Sequence, residues 1–267
     1  MEKTVDPTVQ QLFDLTGRTA LVTGASGYLG SAMSRALAEA GARVVVSSRD
    51  AQRAQKVADQ LPGAEGRGHL GVVLDQLDPT SIDTGFAAAV AGTGGLDILV
   101  NNGNSAVGDD LTTVGADGFE QTLANATGYF LLARKLRDHV VERGVPGNVV
   151  QLGSMYGQVG SYPDAYEGIC PASPVAYHAL KGGIIHMTRH LAVYWASDGV
   201  RVNSLSPGPF PSDAVPPELP VRLSTKCPMG RMGKPHELKG AIVFLSSDAS
   251  SYMTGQNLTI DGGWTAW

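Results

Sequence analysis

The chain reads as a doubly wound α/β fold: a seven-stranded, mostly parallel sheet with helices on both faces. Three observations lead there. Short apolar, β-branched runs alternate strictly with longer helical patterns. Most of those runs are apolar on both faces, as strands of a parallel sheet covered on both sides must be. And the first run opens into a glycine-rich turn followed by a helix, "TGASGYLG" at Thr23–Gly30, the arrangement that begins sheets of this kind.

"RTALVTG" (18–24) is the first strand and Tyr28–Ala40 the first helix, ended by Gly41. "ARVVVSS" is the second strand, and a polar helix follows from Asp50. "LGVVLD" (70–75) is the third; the next helix takes Asp78 as its N-cap and Pro79 at its first position, where a missing N–H is not needed. "LDILVNN" (96–102) is the fourth strand, and a long helical stretch covers 112–142. "NVVQLGS" (148–154) is the fifth, then a helix over 175–197, the sixth strand "VRVNSLSPG", a helix at Pro235–Ser246 and the closing strand "NLTIDGG" (257–263). No repeat, biased tract or linker divides the chain, so residues 1–267 are expected to form a single domain. Two loop-rich insertions, 155–174 and 209–230, break the alternation. Both follow a strand's carboxyl end, the edge at which open α/β sheets bind ligands.

With 267 residues, 43% of them apolar, the chain can bury a sizeable core. A net charge of −5 argues against a general nucleic-acid binder. No apolar run reaches the roughly 20 residues of a membrane span, and the N-terminus lacks a basic start and apolar stretch of a secretory signal. Cys170 and Cys227 have no metal-ligand spacing and read as free thiols of a reducing compartment, so a cytoplasmic location is expected. His186 and His190 lie one helical turn apart, but no Glu follows as in H-E-x-x-H and no third ligand is apparent, so no metal site is expected.

The glycine turn sits where a phosphate would meet backbone N–H groups and a helix dipole. Gly24, Gly27 and Gly30 give T-G-x-x-G-x-x-G, with Ser26 where the strict fingerprint has its second Gly. Alone, this is equally a ligand-free tight turn. Asp75, ending the third strand, offers a carboxylate for an adenine amino group. "YHALK" puts Tyr177 and Lys181 on one helix face. A free Tyr has a pKa of about 10, so activity near neutrality needs a fall of about three units, roughly 4 kcal/mol. A neighbouring cation can contribute to that; the bland alternative is a ring packed on a Lys stem. Ser154, at a strand end, can hydrogen-bond a substrate oxygen or be an ordinary strand-end Ser. Asn125 in "LANATGYF" competes with helical hydrogen bonding and can hold a bend and a water, or be merely exposed.

From about Leu15 to the C-terminus, these motifs together resemble the short-chain dehydrogenase/reductase family. The resemblance rests on the turn at Thr23–Gly30, Asp75, "NNG" at Asn101–Gly103, Asn125, Ser154, Tyr177 with Lys181, "PG" at Pro207–Gly208 and the ending "YMTGQNLTIDGGW". It implies a single Rossmann-type domain of the compact branch and a tetrad of Asn125, Ser154, Tyr177 and Lys181. Tyr177 would be the general acid/base, and Ser154 would orient the carbonyl or hydroxyl. Lys181 would lower the Tyr pKa and bind the nicotinamide ribose; Asn125 would hold a water linking Lys181 to solvent. The reaction implied is reversible hydride transfer between a secondary alcohol and a nicotinamide. Cofactor contacts are expected from Gly24, Ser26, Tyr28, Leu29, Ser48, Arg49, Asp75, Gln76, Asn102, Gly103, Tyr177, Lys181, Pro207, Gly208, Phe210 and Ser212. Family members usually form dimers or tetramers, so a homotetramer or homodimer is expected. The chain also departs from the pattern. "NNGN" replaces the usual "NNAG", and Tyr28 stands at a position where compact members carry Gly. The ring of Tyr28 is expected to point away from the phosphates and leave its N–H available.

After the second strand, Ser48 takes the place of the carboxylate that would bind the ribose 2′-OH of NAD, and Arg49 follows. A guanidinium suits a 2′-phosphate, which favours NADP(H). NAD(H) stays open, with Arg49 stacked on adenine and Asp50 nearby. The first insertion brings Tyr156 and Tyr166 beside Ser154, hydroxyls suited to a polyhydroxylated substrate: a polyol, a sugar or a sugar acid. The second brings Arg222 and Lys226, which could meet an acid group. The pattern is loosely similar to polyol and gluconate dehydrogenases. Two alternatives stand beside it: a 3-oxoacyl-carrier-protein reductase, and a non-catalytic nucleotide-sensing protein, which would be expected to lose a tetrad member. No G-x-S-x-G elbow supports a serine hydrolase.

Overall fold

The computed structural model describes residues 6–266. Its strands are β1 (Thr19–Val22), β2 (Arg43–Ser48), β3 (Leu70–Val73), β4 (Ile98–Asn101), β5 (Gly147–Leu152), β6 (Val200–Pro207) and β7 (Asn257–Ile260). They form one sheet in the order β3-β2-β1-β4-β5-β6-β7. Every neighbouring pair is parallel, so the sheet is wholly rather than mostly parallel. The order reverses between β1 and β4, and the crevice at their carboxyl ends is the natural ligand position.

The helices are α1 (Val9–Phe13), α2 (Tyr28–Glu39), α3 (Ala51–Asp59), α4 (Ala64–Arg67), α5 (Pro79–Thr93), α6 (Ala116–Arg143), α7 (Pro163–Tyr166), α8 (Val175–Trp195), α9 (Glu218–Ser224) and α10 (Lys239–Ser246). Local chemistry sets their ends. Asp50 and Asp78 cap α3 and α5 by accepting N–H groups of Arg53 and Thr80, and Gly41 leaves α2 at φ +106°, a left-handed value open to glycine. The segment Pro235–Ser246 is a short 3₁₀ turn, Pro235–Leu238, running into α10.

Alternate strand residues feed opposite cores. Val22, Val44 and Val46 pack with Met33 and Leu37 of α2 and Ile242 and Leu245 of α10. Leu21 and Val45, one residue out of phase, pack with Ile82 and Phe86 of α5 and Leu132 and Leu136 of α6. Full burial of each such side chain is worth about 1.5–3 kcal/mol, which is why these strands are apolar on both faces. A third cluster joins the two insertions: Met155, Ala165 and Tyr166 meet Leu219, Leu223 and Cys227, with Trp264 of the C-terminal segment against them. Among the described residues, no helix is long and apolar enough to cross a membrane.

Candidate active site

The glycine turn is built by close approach. Gly24 adopts φ +60°, and a Cβ there would lie 2.8 Å from Gly103 Cα. A Cβ on Gly30 would overlap the Gly24 carbonyl oxygen. Two residues tie the turn to the end of β4. Thr23 Oγ1 accepts the N–H groups of Asn102 and Gly103, both at 2.9 Å. Asn102 Nδ2 donates to the carbonyls of Thr23 and Gly24, both at 3.0 Å. Gly27 caps α2 without a side chain, and the N–H groups of Tyr28, Leu29 and Gly30 have no acceptor among the described residues. Tyr28 is 46% exposed, and its N–H is one of these three. Three free donors at a helix N-terminus are suited to an anion. Gly30→Ala is expected to lower stability by about 1–3 kcal/mol through overpacking, read as a drop in the urea midpoint.

Two cavities line the carboxyl edge and share Gly27, Asn102 and Asn104. The larger, about 400 Å³, is lined by Gly24, Ser26, Ser48, Arg49, Asp75, Gln76 and Gly103 among others. The smaller, about 310 Å³, is lined by Tyr28, Leu29, Ser154, Tyr177, Lys181, Pro207, Gly208 and Phe210. A trough of two joined chambers with free N–H donors between them fits a dinucleotide. The glycines supply close approach at the middle, and the Tyr177 chamber lies at one end.

The other end is cationic. Arg49 and Arg53 both line the larger cavity. Arg53 escaped the sequence reading. Its signal was Asp50, which as an N-cap starts α3 and brings residue 53 within a turn of residue 49. The Asp50 carboxylate accepts the Arg53 N–H at 2.7 Å and is absent from the cavity lining. Asn104 and Ser105, also unforeseen, line the wall beyond Gly103.

At the Tyr177 end, Ser154 Oγ accepts the N–H of Tyr156 at 3.2 Å. Lys181 is 3% exposed; its Nζ donates to the Leu152 carbonyl at 2.7 Å and lies 5.5 Å from the Tyr177 ring centre. Burial lowers the Lys181 pKa to about 7. Burial raises the Tyr177 phenol, and the Ser154 hydroxyl offsets part of that rise. This corrects one expectation: in the chain alone the phenol is raised, not lowered. Desolvation disfavours the charged form of each member of the pair.

Other expectations are also corrected. Asn125 is fully buried, not exposed, and its side-chain amide is committed to Gln76, Ser105 and Thr122. Ser212 lines neither cavity; the lining ends at Phe210, whose ring rests on Gly233. Tyr156 and Tyr166 line neither cavity. Their hydroxyls bond each other, and Tyr156 stacks on His178 at 4.6 Å. Arg222 and Lys226, expected to meet an acid group, line neither cavity. Arg222 donates to the carbonyls of Asp164 and Glu167, and Lys226 pairs with the Asp164 carboxylate. His186 and His190 lie exposed on α8, with the His190 ring against Tyr194 at 4.7 Å.

A family model described as Enoyl-(Acyl carrier protein) reductase matches residues 24–265. The chain is 36% identical over 262 residues to galactitol 2-dehydrogenase (L-tagatose-forming) of Cereibacter sphaeroides, covering 96% of this chain and 98% of that one. A short-chain type dehydrogenase/reductase from Mycobacterium marinum superposes with a TM-score of 0.87 at 34% identity, covering 98% and 100% of the two chains. A gluconate 5-dehydrogenase from Burkholderia cenocepacia, solved with NADP and tartrate, superposes with a TM-score of 0.88 at 29% identity, covering 97% and 100%.

Proposed function

Because the chain belongs to the short-chain dehydrogenase/reductase family, we propose that it interconverts a secondary alcohol and a ketone of an uncharged polyol or sugar, with NADP(H) as preferred coenzyme. The observation that supports this most is the chamber shared by Ser154, Tyr177 and Lys181, continuous with the trough along the glycine turn.

The coenzyme, when bound, donates or accepts hydride at its nicotinamide C4. The free N–H groups of α2 and Gly24 would hold its pyrophosphate, and Asp75 its adenine. The protein's own work is orientation and proton transfer. Ser154 would hold the substrate oxygen by a hydrogen bond. Tyr177 would give a proton to that oxygen in ketone reduction and take one from the alcohol in oxidation. Lys181, anchored on the Leu152 carbonyl, would hold a ribose hydroxyl beneath the phenol.

Two observations favour NADP(H). Arg49 and Arg53 flank the same end of the larger cavity, and Asp50 is used as a helix cap rather than as a ribose ligand. Removing one charge-assisted contact costs about 1.5–3 kcal/mol. Arg49→Ala is therefore expected to raise the NADPH dissociation constant about 10–100-fold and to change NADH little; equal losses by fluorescence titration would argue against 2′-phosphate recognition. The uncharged substrate is supported by the lining of the Tyr177 chamber, in which Lys181 is the one cation and to which Arg222 and Lys226 do not contribute. Initial rates on tetritols, hexitols and gluconate with each coenzyme test it, with the neutral polyols expected to lead.

A further inference from the structure

Gln76 stands directly after Asp75, beyond the end of β3, and is 8% exposed. The space it fills is enclosed by glycines. A Cβ on Gly103 would overlap its Oε1, and a Cβ on Gly128 of α6 would overlap its main-chain carbonyl oxygen. Its Nε2 donates to Asn125 Oδ1 at 2.6 Å, while its Oε1 is buried without a partner.

The orientation of both amides follows from groups that have only one role. Asn125 Oδ1 accepts the Ser105 N–H at 2.9 Å, and a backbone N–H can only donate. Asn125 Nδ2 donates to the carbonyls of Ser105 at 2.7 Å and Thr122 at 2.8 Å, which can only accept. Asn125 therefore cannot be turned over. Its remaining acceptor position faces Gln76, which must present its NH₂ there. That choice directs Oε1 at Gly103 and leaves it unpaired.

The consequence reaches the reaction chamber. Gln76 and Ser105 line the larger cavity, and Asn104 lines both. Asn125 grips Ser105 through both its N–H and its C=O. A change at Gln76 is thus passed to the wall between the chambers. We propose that Gln76 is a positioning residue which, through Asn125, sets the 103–105 wall beside Tyr177, and that Gly103 is the small residue that makes room for it. The role rests on the oxidoreductase reading above. It also gives a physical reason for "NNGN": an alanine at 103 would collide with the Gln76 amide.

The test is a double-mutant cycle on the full chain, with coenzyme affinity by calorimetry, steady-state rates on the best alcohol, and thermal melting. Loss of one buried hydrogen bond makes Gln76→Val about tenfold lower in kcat/KM, with the loss in kcat exceeding any loss in coenzyme affinity. Gly103→Ala loses about tenfold or more by collision. The double variant is expected to be no worse than Gln76→Val alone, because valine vacates the space; losses that multiply overturn the pairing. Gln76→Glu supplies a second readout. Only the protonated carboxyl can donate to Asn125, so activity relative to the unaltered chain should rise as pH falls; a constant ratio overturns positioning through Asn125. Tyr129, whose hydroxyl donates to the Gly103 carbonyl, is kept protonated by burial and does not move that ratio. This comparison sets one folded variant against itself and holds even where another fails to fold. Absence of coenzyme-dependent turnover in the unaltered chain would count instead against the oxidoreductase reading.

Discussion

Tyr177→Phe is expected to lower kcat for alcohol oxidation about 10³-fold, within the range for loss of a general acid–base group, while the coenzyme dissociation constant stays within about twofold. The substitution removes one oxygen from a half-buried ring and leaves the chamber's shape alone. The phenol is held above its ordinary value by burial and partly relieved by Ser154. Near neutrality it is therefore protonated in the chain alone, ready as an acid for ketone reduction. Oxidation needs the opposite state. The rate of alcohol oxidation should rise with pH as the Tyr177–Lys181 pair loses its proton, and the apparent pKa of that rise belongs to the pair. The Phe variant should lack the rise. Unchanged turnover, or an unchanged pH profile, would remove Tyr177 from the chemistry.

The seven strands were legible because a doubly covered parallel sheet writes itself as apolar runs with turn residues between them. The cap at Asp78 was legible for a similar reason: a capping carboxylate and the helix it starts are neighbours in sequence. The interior of the two insertions was not. α7 and α9 are too short to show a helical period, and what orders them is mutual burial around Trp264 and the Lys226–Asp164 pair. Residues 62 apart in sequence hold each other there, and no local pattern announces that. Tyr156, Tyr166, Arg222 and Lys226 read as free polar groups because their partners are non-local.

Asn125 shows the same limit from inside a helix. Its residue type signalled that something interrupts ordinary helical bonding. The partners, Gln76 and Ser105, come from the β3 and β4 ends and are brought together only by the reversal of strand order. The turn at Thr23–Gly30 was legible as a place, but its rigidity comes from Asn102, on the neighbouring strand's end.

Lys181→Met is expected to produce an enzyme that is more stable and nearly inactive. The loss of activity, about 10²-fold or more, follows from removing the group that holds the proton-transfer site. The gain in stability follows from linkage. An unfolded Lys titrates at about 10.4, whereas in the folded chain burial brings Lys181 to about 7. Between those values the unfolded chain binds more protons, so this lysine makes stability rise with pH through that window. Below pH 7 both states carry the charge, and the folded state bears its full desolvation. Methionine fills similar volume without it, at the loss of the hydrogen bond to the Leu152 carbonyl, a loss of about 1–3 kcal/mol. The net gain should be about 2 kcal/mol at pH 6, or about 4–8 °C in melting temperature for a chain of this size. It should shrink as pH rises toward 10. Melting curves at pH 6 and 9.5 decide the matter: a difference that does not change with pH would mean the lysine is not destabilised by its burial. A variant that melts higher at pH 6 and turns over no alcohol would identify a charge that opposes the fold and serves the reaction.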